Sequence, residues 1–112
     1  MIETIILDYL ESNIDVPVYM EQPKVKPDTF VLIELTGGYR ENYLNYATIA
    51  VQSYAQTLFN ASELNEIIKT AMLQITDLKK IARCQLNGNY NYTDDSTKQY
   101  RYQAVFELVY YD

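Results

Sequence analysis

The sequence contains no histidine, so few of its side chains can do chemistry. Histidine is the commonest general base, the commonest zinc ligand and the middle member of nucleophilic triads. Cys84 is the only cysteine, and without a histidine to activate it we interpret it as a small buried apolar residue. The sequence therefore predicts a protein without a catalytic site.

Carboxylates and glycines are the remaining candidates for chemistry. Glu34 interrupts an apolar run, which a strand edge or a subunit contact explains as well as a general base does, and no second acid accompanies it. Asp94 and Asp95 fall in a predicted turn that lacks the alternating ligand spacing of a calcium loop. Gly37 and Gly38 are not followed by the Lys-Ser or Lys-Thr pair and the helix of a phosphate loop. We expect no metal and no cofactor.

Tyrosine is unusually frequent, with 12 tyrosines against three phenylalanines and no tryptophan. A tyrosine combines an apolar ring with a polar tip, which suits contacts between proteins. Individual tyrosines such as Tyr9 and Tyr54 also fit a core or its rim, and that alternative stays open. Two groups crowd short segments and are interpreted as protein contact surfaces. The candidate interface residues are Tyr39, Arg40, Glu41, Asn42, Tyr43 and Tyr46 in one predicted loop, with Tyr90, Tyr92, Asp94 and Asp95 near the end of a hairpin.

Two amphipathic helices are predicted to support these surfaces. Apolar residues at helical spacing indicate an opening helix that ends at Asn13. A second apolar stripe runs from Leu64 to Ile75, and Asn60 with Glu63 three residues later resembles a capping box at its start.

Five strands are predicted around these helices. β-branched and alternating apolar residues indicate strands over residues 18–20, 30–36, 47–55, 81–92 and 99–111. Gly37 and Gly38 are expected to end the second of these strands, and residues 39–46 to form a loop. The expected fold is α+β in two layers, with a mainly antiparallel sheet of about four to five strands and both helices on one face, in the order α-β-β-β-α-β-β.

Length and charge limit the possible classes of protein. A chain of 112 residues is one domain's worth, so residues 1–112 are taken as a single domain. The formal net charge of −6 opposes nucleic-acid binding, because Lys and Arg supply most of that affinity. No segment has the length of a membrane span or the pattern of a signal peptide. A soluble protein made in a reducing cytosol is expected.

Several segments resemble the tail terminator, or tail completion, proteins of long-tailed bacteriophages and prophages. The similar segments are residues 33–42 (IELTGGYREN), 47–55 (ATIAVQSYA), 63–66 (ELNE), 89–94 (NYNYTD) and 100–106 (YRYQAVF). Together they span nearly the whole chain, and they are structural rather than catalytic signatures.

The resemblance implies a virion protein of the tail and neck, made in the bacterial host cytoplasm. Such a protein assembles as a homo-oligomeric ring, a hexamer, on the finished tail tube. Its implied partners are the major tail tube protein and the head completion or connector protein. A head-tail connector or head completion protein remains the alternative function.

Overall fold

A computed structural model describes residues 1–111 and confirms the predicted α+β class and element order. The elements are α1 (Ile2–Asn13), β1 (Val18–Tyr19), β2 (Phe30–Glu41), β3 (Leu44–Ala55), α2 (Leu58–Leu73), a 3-10 turn (Ile75–Asp77), β4 (Ile81–Asn91) and β5 (Tyr100–Tyr110).

The strands form one sheet in the order β1-β2-β3-β5-β4. The short β1 pairs in parallel with β2, and every other pairing is antiparallel. The hairpin β2-β3 and the hairpin β4-β5 are therefore joined side by side through β3 and β5, with α2 connecting them along the chain. This confirms the expected mainly antiparallel sheet.

Both helices pack on one face of this sheet, which we call the helix face. Helix α1 buries Ile6 and Leu10, and α2 buries Ile68 and Met72, all in one cluster with alternate residues of the central strands. Fully burying one such large apolar side chain stabilises the fold by about 1.5–3 kcal/mol. The strand residues of this core are Val18, Val31, Ile33, Ala47, Ile49, Val51, Ile81, Ala104, Phe106 and Leu108.

The predicted break at Gly37 and Gly38 is wrong. Strand β2 continues to Glu41, with an irregularity between Leu35 and Gly37 that leaves Thr36 as the extra residue. Such a bulge bends and twists a strand without ending it. A Cβ atom on Gly38 would lie 2.9 Å from the carbonyl oxygen of Tyr46, so this glycine permits a close approach of two strands rather than a break.

The predicted loop over residues 39–46 is also wrong, because this segment is the end of the hairpin β2-β3. Tyr39 pairs with Tyr46, and only Asn42 and Tyr43 separate the two strands. Both turn residues have positive φ, 53° and 68°, as the two-residue turns that match strand twist require. Tyrosine seldom adopts this backbone conformation, so the sequence carried no ordinary turn signal at Tyr43.

Helix α2 begins earlier than its predicted cap. Thr57 is the N-cap residue, and its side chain accepts a hydrogen bond from the Asn60 amide at 3.1 Å. Asn60 therefore lies inside the first turn, and the predicted pairing of Asn60 with Glu63 as a cap is wrong. Within the predicted stripe, Leu64, Ile68 and Met72 are buried, Ala71 is half-buried and Ile67 is exposed. The helix ends at Leu73, so Ile75, the last residue of the stripe, is buried in the 3-10 turn instead.

Candidate protein interface

The two predicted contact surfaces lie at opposite ends of the sheet. In the register of β3 with β5, Asn45 pairs with Tyr110 and Ala55 pairs with Tyr100. The β2-β3 turn is therefore at one end of these strands and the β4-β5 connection at the other. The molecule is elongated, 44 Å by 25 Å by 25 Å. We call residues 39–46 the arm and residues 90–95 the tip.

The arm presents three of the predicted tyrosines together. The rings of Tyr39 and Tyr46 are stacked, with centroids 4.5 Å apart and planes 5° from parallel. Tyr43 occupies the turn with 87% of its surface exposed. Arg40, Glu41 and Asn42 are exposed beside it, so all six predicted residues of this surface are brought together.

A cavity of about 230 Å³ adjoins the stacked rings on the sheet face opposite the helices, which we call the far face. Arg83 and Gln85 of β4 and Glu107 of β5 contribute its polar lining. Arg83 donates a hydrogen bond to Gln85 at 2.5 Å, so its guanidinium is held along β4. The arm therefore adjoins a surface that combines aromatic rings with both signs of charge.

The tip combines two tyrosines with a cation. The rings of Tyr90 and Tyr92 meet edge to face at 5.9 Å, and the Arg101 guanidinium lies 4.4 Å from the centre of the Tyr92 ring. A guanidinium over an aromatic face is attracted by the ring quadrupole. This contact fixes Tyr92 while leaving part of it exposed.

Asp94 has a structural role in the tip. Its carboxylate accepts hydrogen bonds from the Ser96 amide at 3.1 Å and the Ser96 hydroxyl at 2.7 Å. These bonds favour the charged form and hold the pKa of Asp94 below its usual value. Asp95 follows it with an exposed side chain. Asp94 therefore shapes the turn, whereas the carboxylate of Asp95 is exposed to solvent.

A chain of polar side chains crosses the far face between the edges of the sheet, and it was not predicted. Gln22 donates to the Tyr54 hydroxyl at 3.0 Å, and Tyr54 donates to Gln52 at 2.7 Å. Gln52 in turn donates to Gln103 at 2.8 Å, and Gln103 donates to the hydroxyl of Tyr90 in the tip. The polar chain therefore connects the tip to the central strands.

Strand β3 is buried on both faces from Ile49 to Ala55, whereas the sequence predicted a half-buried strand. Tyr54 is 1% exposed and stacks on Phe30 with centroids 4.4 Å apart. Tyr19 packs edge to face on Phe30. Gln52 and Gln103 lie in two predicted strands and pair across them. Their polar side chains were the one feature of the sequence that could have indicated hydrogen bonds on this face.

Cys84 and Glu34 are the other side chains that the sequence singled out. Burial raises the pKa of Cys84 to about 12, so its thiol is protonated at neutral pH. Glu34 is exposed on β2. Within residues 1–111 no three or more Asp, Glu, Cys or His side chains form a group that could hold a metal ion.

Comparison with known proteins assigns no family. The chain matches no protein-family model, and a search of curated proteins finds no match. In the part of the chain that the structure describes, no helix is long and apolar enough to span a membrane.

Proposed function

We propose that this protein is a tail terminator of a long-tailed bacteriophage or prophage. In this role it forms a hexameric ring on the completed tail tube, stops tube polymerisation and offers a surface to the head completion or connector protein. The observation that carries the proposal is the placement of two different tyrosine-bearing surfaces, the arm and the tip, at opposite ends of one elongated sheet.

A ring subunit that also contacts the tail tube and a head protein needs several different contact surfaces, and its contacts with neighbouring subunits in the ring are heterologous. The arm offers a stacked aromatic pair and the exposed Tyr43, whereas the tip offers Tyr92 with its guanidinium and the carboxylate of Asp95. These surfaces differ in chemistry and do not mimic each other. Tyrosine and arginine are the residues that most often dominate binding energy at interfaces.

Charge gives a second line of support. DNA passes through the neck of a long-tailed phage, and a channel lined by an acidic protein repels the phosphate backbone. The formal net charge of −6 suits such a channel. The same charge disfavours a role that depends on binding nucleic acid.

The proposal is tested by polymerising the tail tube protein of the same genome in the presence of this protein. Tube lengths are measured by negative-stain electron microscopy. We expect growth to stop at shorter mean lengths as the concentration of this protein rises. Equal lengths with and without it contradict termination and favour the connector, which binds the head side of the joint.

Matched variants locate the effect on the molecule. Tyr43→Ser and Tyr92→Ser each remove an aromatic ring from one proposed contact surface, so at least one of them is expected to weaken capping. Val25 is as exposed as Tyr43, at 87%, but lies outside both surfaces. The Val25→Ser variant should therefore cap tubes as the unmodified protein does. Equal loss in all three variants contradicts a contact through the arm or the tip.

A further inference from the structure

The sheet has two long edges that nothing in residues 1–111 covers with another strand. Strand β4 is the last in the sheet order, so no described strand pairs with its outer side, and of its backbone groups the Ile81 amide is already bonded, to the Leu78 carbonyl. Strand β1 pairs only with Val31 and Leu32 of β2. Among the described residues, no strand pairs with the outer side of β2 from Ile33 to Glu41. Unpaired strand edges are templates for pairing with another chain.

The hydrogen bonds within the sheet show which backbone groups of β4 point outward. The Tyr92 amide donates to the carbonyl of Arg101 in the neighbouring strand at 2.9 Å. Alternation along the strand, with one bulge between Leu86 and Gly88, then directs the amides and carbonyls of Leu86 and Asn89 away from β5. These groups are free to pair with a strand outside the molecule.

The outward groups of β2 follow in the same way. The Val31 amide donates to the carbonyl of Pro17 at 2.9 Å, on the side away from β3. Two and four residues later, Ile33 and Leu35 therefore also direct their backbone groups outward. The two edges thus present matching rows of donors and acceptors.

The two edges also match in height. Leu35 pairs with Ile49, Ile49 with Phe106, and Phe106 with Leu86, so Leu35 and Leu86 occupy one level of the sheet. The bulge of β2 directly follows Leu35, and one of the two bulges of β4 directly follows Leu86, while the other lies between Ile81 and Arg83. Both edge strands therefore have a bulge next to the level of Leu35 and Leu86.

Strand direction decides how two copies can meet. The antiparallel pairings of β2 with β3, β3 with β5, and β5 with β4 make β2 and β4 run in opposite directions. A second copy placed beside the first in the same orientation brings its β2 antiparallel to β4. This contact joins different surfaces and repeats from copy to copy, so it builds a ring or a filament.

We propose that the partner at these edges is a second copy of this chain, with β2 of one copy paired antiparallel to β4 of the next. When the two copies lie side by side at the same height, Leu35 of one copy, which is 43% exposed, faces Leu86 of the next copy on the helix face. On the far face, Tyr39 lies opposite Arg83, and Glu41 lies opposite Lys80. The height of Tyr39 and Arg83 follows from the pairing of Tyr39 with Tyr46, Tyr46 with Val109 and Val109 with Arg83. Glu41 pairs with Leu44, which is one residue beyond the pair of Asn45 with Tyr110, and Tyr111 at that level bonds to Lys80.

These pairs are chemically complementary. Apolar, cation-aromatic and opposite-charge pairs directly across two strands each stabilise a sheet. The proposal deepens the proposed function, on which it rests for the ring, because it specifies how neighbouring subunits of that ring are joined.

The test is a disulfide cross-link between copies. The double variant Tyr39→Cys and Arg83→Cys, in a Cys84→Ala background, places two thiols on facing strands. In the proposed pairing, residues 39 and 83 of neighbouring copies form a non-hydrogen-bonded antiparallel pair. The Cα atoms of such a pair are about 4.5 Å apart, which is within the range of Cα separations in disulfides. Within one copy the two residues are three strand spacings apart, about 14 Å, so they cannot bridge each other.

The protein is oxidised both at high concentration and on isolated tails, and the products are separated on a non-reducing gel. We expect a ladder of multiples that ends at the ring size. Each single variant has only one engineered thiol and should stop at dimers. The control double variant, Val25→Cys with Arg83→Cys, should yield no ladder, because Val25 lies outside both edges.

The outcomes separate this inference from the proposed function. If the double variant terminates tails normally but gives no more cross-linking than the control, the edge pairing is wrong and termination still holds. A ladder from a protein that does not change tube length supports the edge pairing and contradicts termination.

Discussion

The hydroxyl of Tyr54 is the centre of the polar chain on the far face. It donates to Gln52 and accepts from Gln22 and Arg101, while its ring is 1% exposed. Tyr54→Phe removes this hydroxyl and leaves the Gln52 oxygen without its donor. We expect the free energy of unfolding, measured by urea denaturation, to fall by about 1–3 kcal/mol.

Tyr43→Phe is the matched control, because Tyr43 is exposed in the turn and has a hydroxyl that water can solvate. Its free energy of unfolding should stay within about 0.5 kcal/mol of the unmodified protein. Equal stability of the two variants contradicts a structural role for the polar chain.

Cys84 gives a second prediction at the scale of the residue. Burial disfavours the thiolate and raises the pKa of Cys84 to about 12, from an ordinary value of 9.0. At pH 9 the folded protein should therefore react with iodoacetamide far more slowly than the urea-unfolded chain. The rate for the folded protein should increase as pH rises toward 12, provided that the fold persists. Equal rates for the folded and unfolded chains at pH 9 contradict the burial of the thiol.

The raised pKa of Cys84 also determines how the free energy of unfolding depends on pH. The folded state favours the protonated thiol, so this contribution to stability is fully present below pH 9 and is lost as pH rises through 9 toward 12. The Cys84→Ala variant lacks this contribution and should lose less stability across that window. Urea denaturation of both proteins at pH 8 and pH 10.5 measures the difference.

Among single residues, the sequence could predict apolar and turn positions but not polar partnerships. The alternation of β3 grouped Tyr54 with the polar Thr48 and Gln52, and a place in the core or its rim was only an open alternative; the structure shows Tyr54 buried. Its bonds to Gln22 and Arg101 depend on which strands are neighbours, and the partners are 32 and 47 residues away along the chain.

At the scale of the element, Gly38 is what allows the arm to form. A Cβ atom there would lie 2.9 Å from a backbone oxygen of the paired strand, whereas a Cβ atom on Gly37 would meet nothing within 4 Å. Gly38→Ala is therefore expected to destabilise the protein by about 1–3 kcal/mol. Gly37→Ala, the control, should be neutral or slightly stabilising in thermal unfolding. A larger loss for Gly37→Ala contradicts the close approach at Gly38.

The cap of α2 gives a second prediction for an element. Thr57→Ala removes the side-chain acceptor of the Asn60 amide and should cost about 1 kcal/mol. Asn60→Ala leaves that backbone bond in place and should be nearly neutral, although the sequence pattern had favoured Asn60 as the cap. Chemical denaturation of the two variants decides between the positions. A larger loss for Asn60→Ala supports the sequence pattern instead.

The errors in predicting elements share a physical cause. Gly-Gly and polar residues usually end strands, but in β2 the pairing with β3 and a bulge at Thr36 outweigh local preference. The helices were predictable because their apolar stripes follow from periodicity within a single segment. The arm was not, because its strands are stabilised by residues across the hairpin.

At the scale of the whole molecule, the decisive property is that the arm and the tip lie at opposite ends. The sequence indicated both groups of tyrosines, and the structure brings each group together. Their separation depends on the register of β3 with β5, in which Asn45 pairs with Tyr110. No local pattern fixes that register, so the arrangement of the candidate interface could not be predicted from the sequence.

The most direct test of the central claim is electron microscopy of particles made by a phage or prophage that lacks this gene. The proposed function predicts headless tails of excessive and uncontrolled length, with normal tails restored when the gene is supplied in trans. Tails of normal length beside unattached filled heads contradict termination and indicate a connector. Unchanged particles contradict both structural roles.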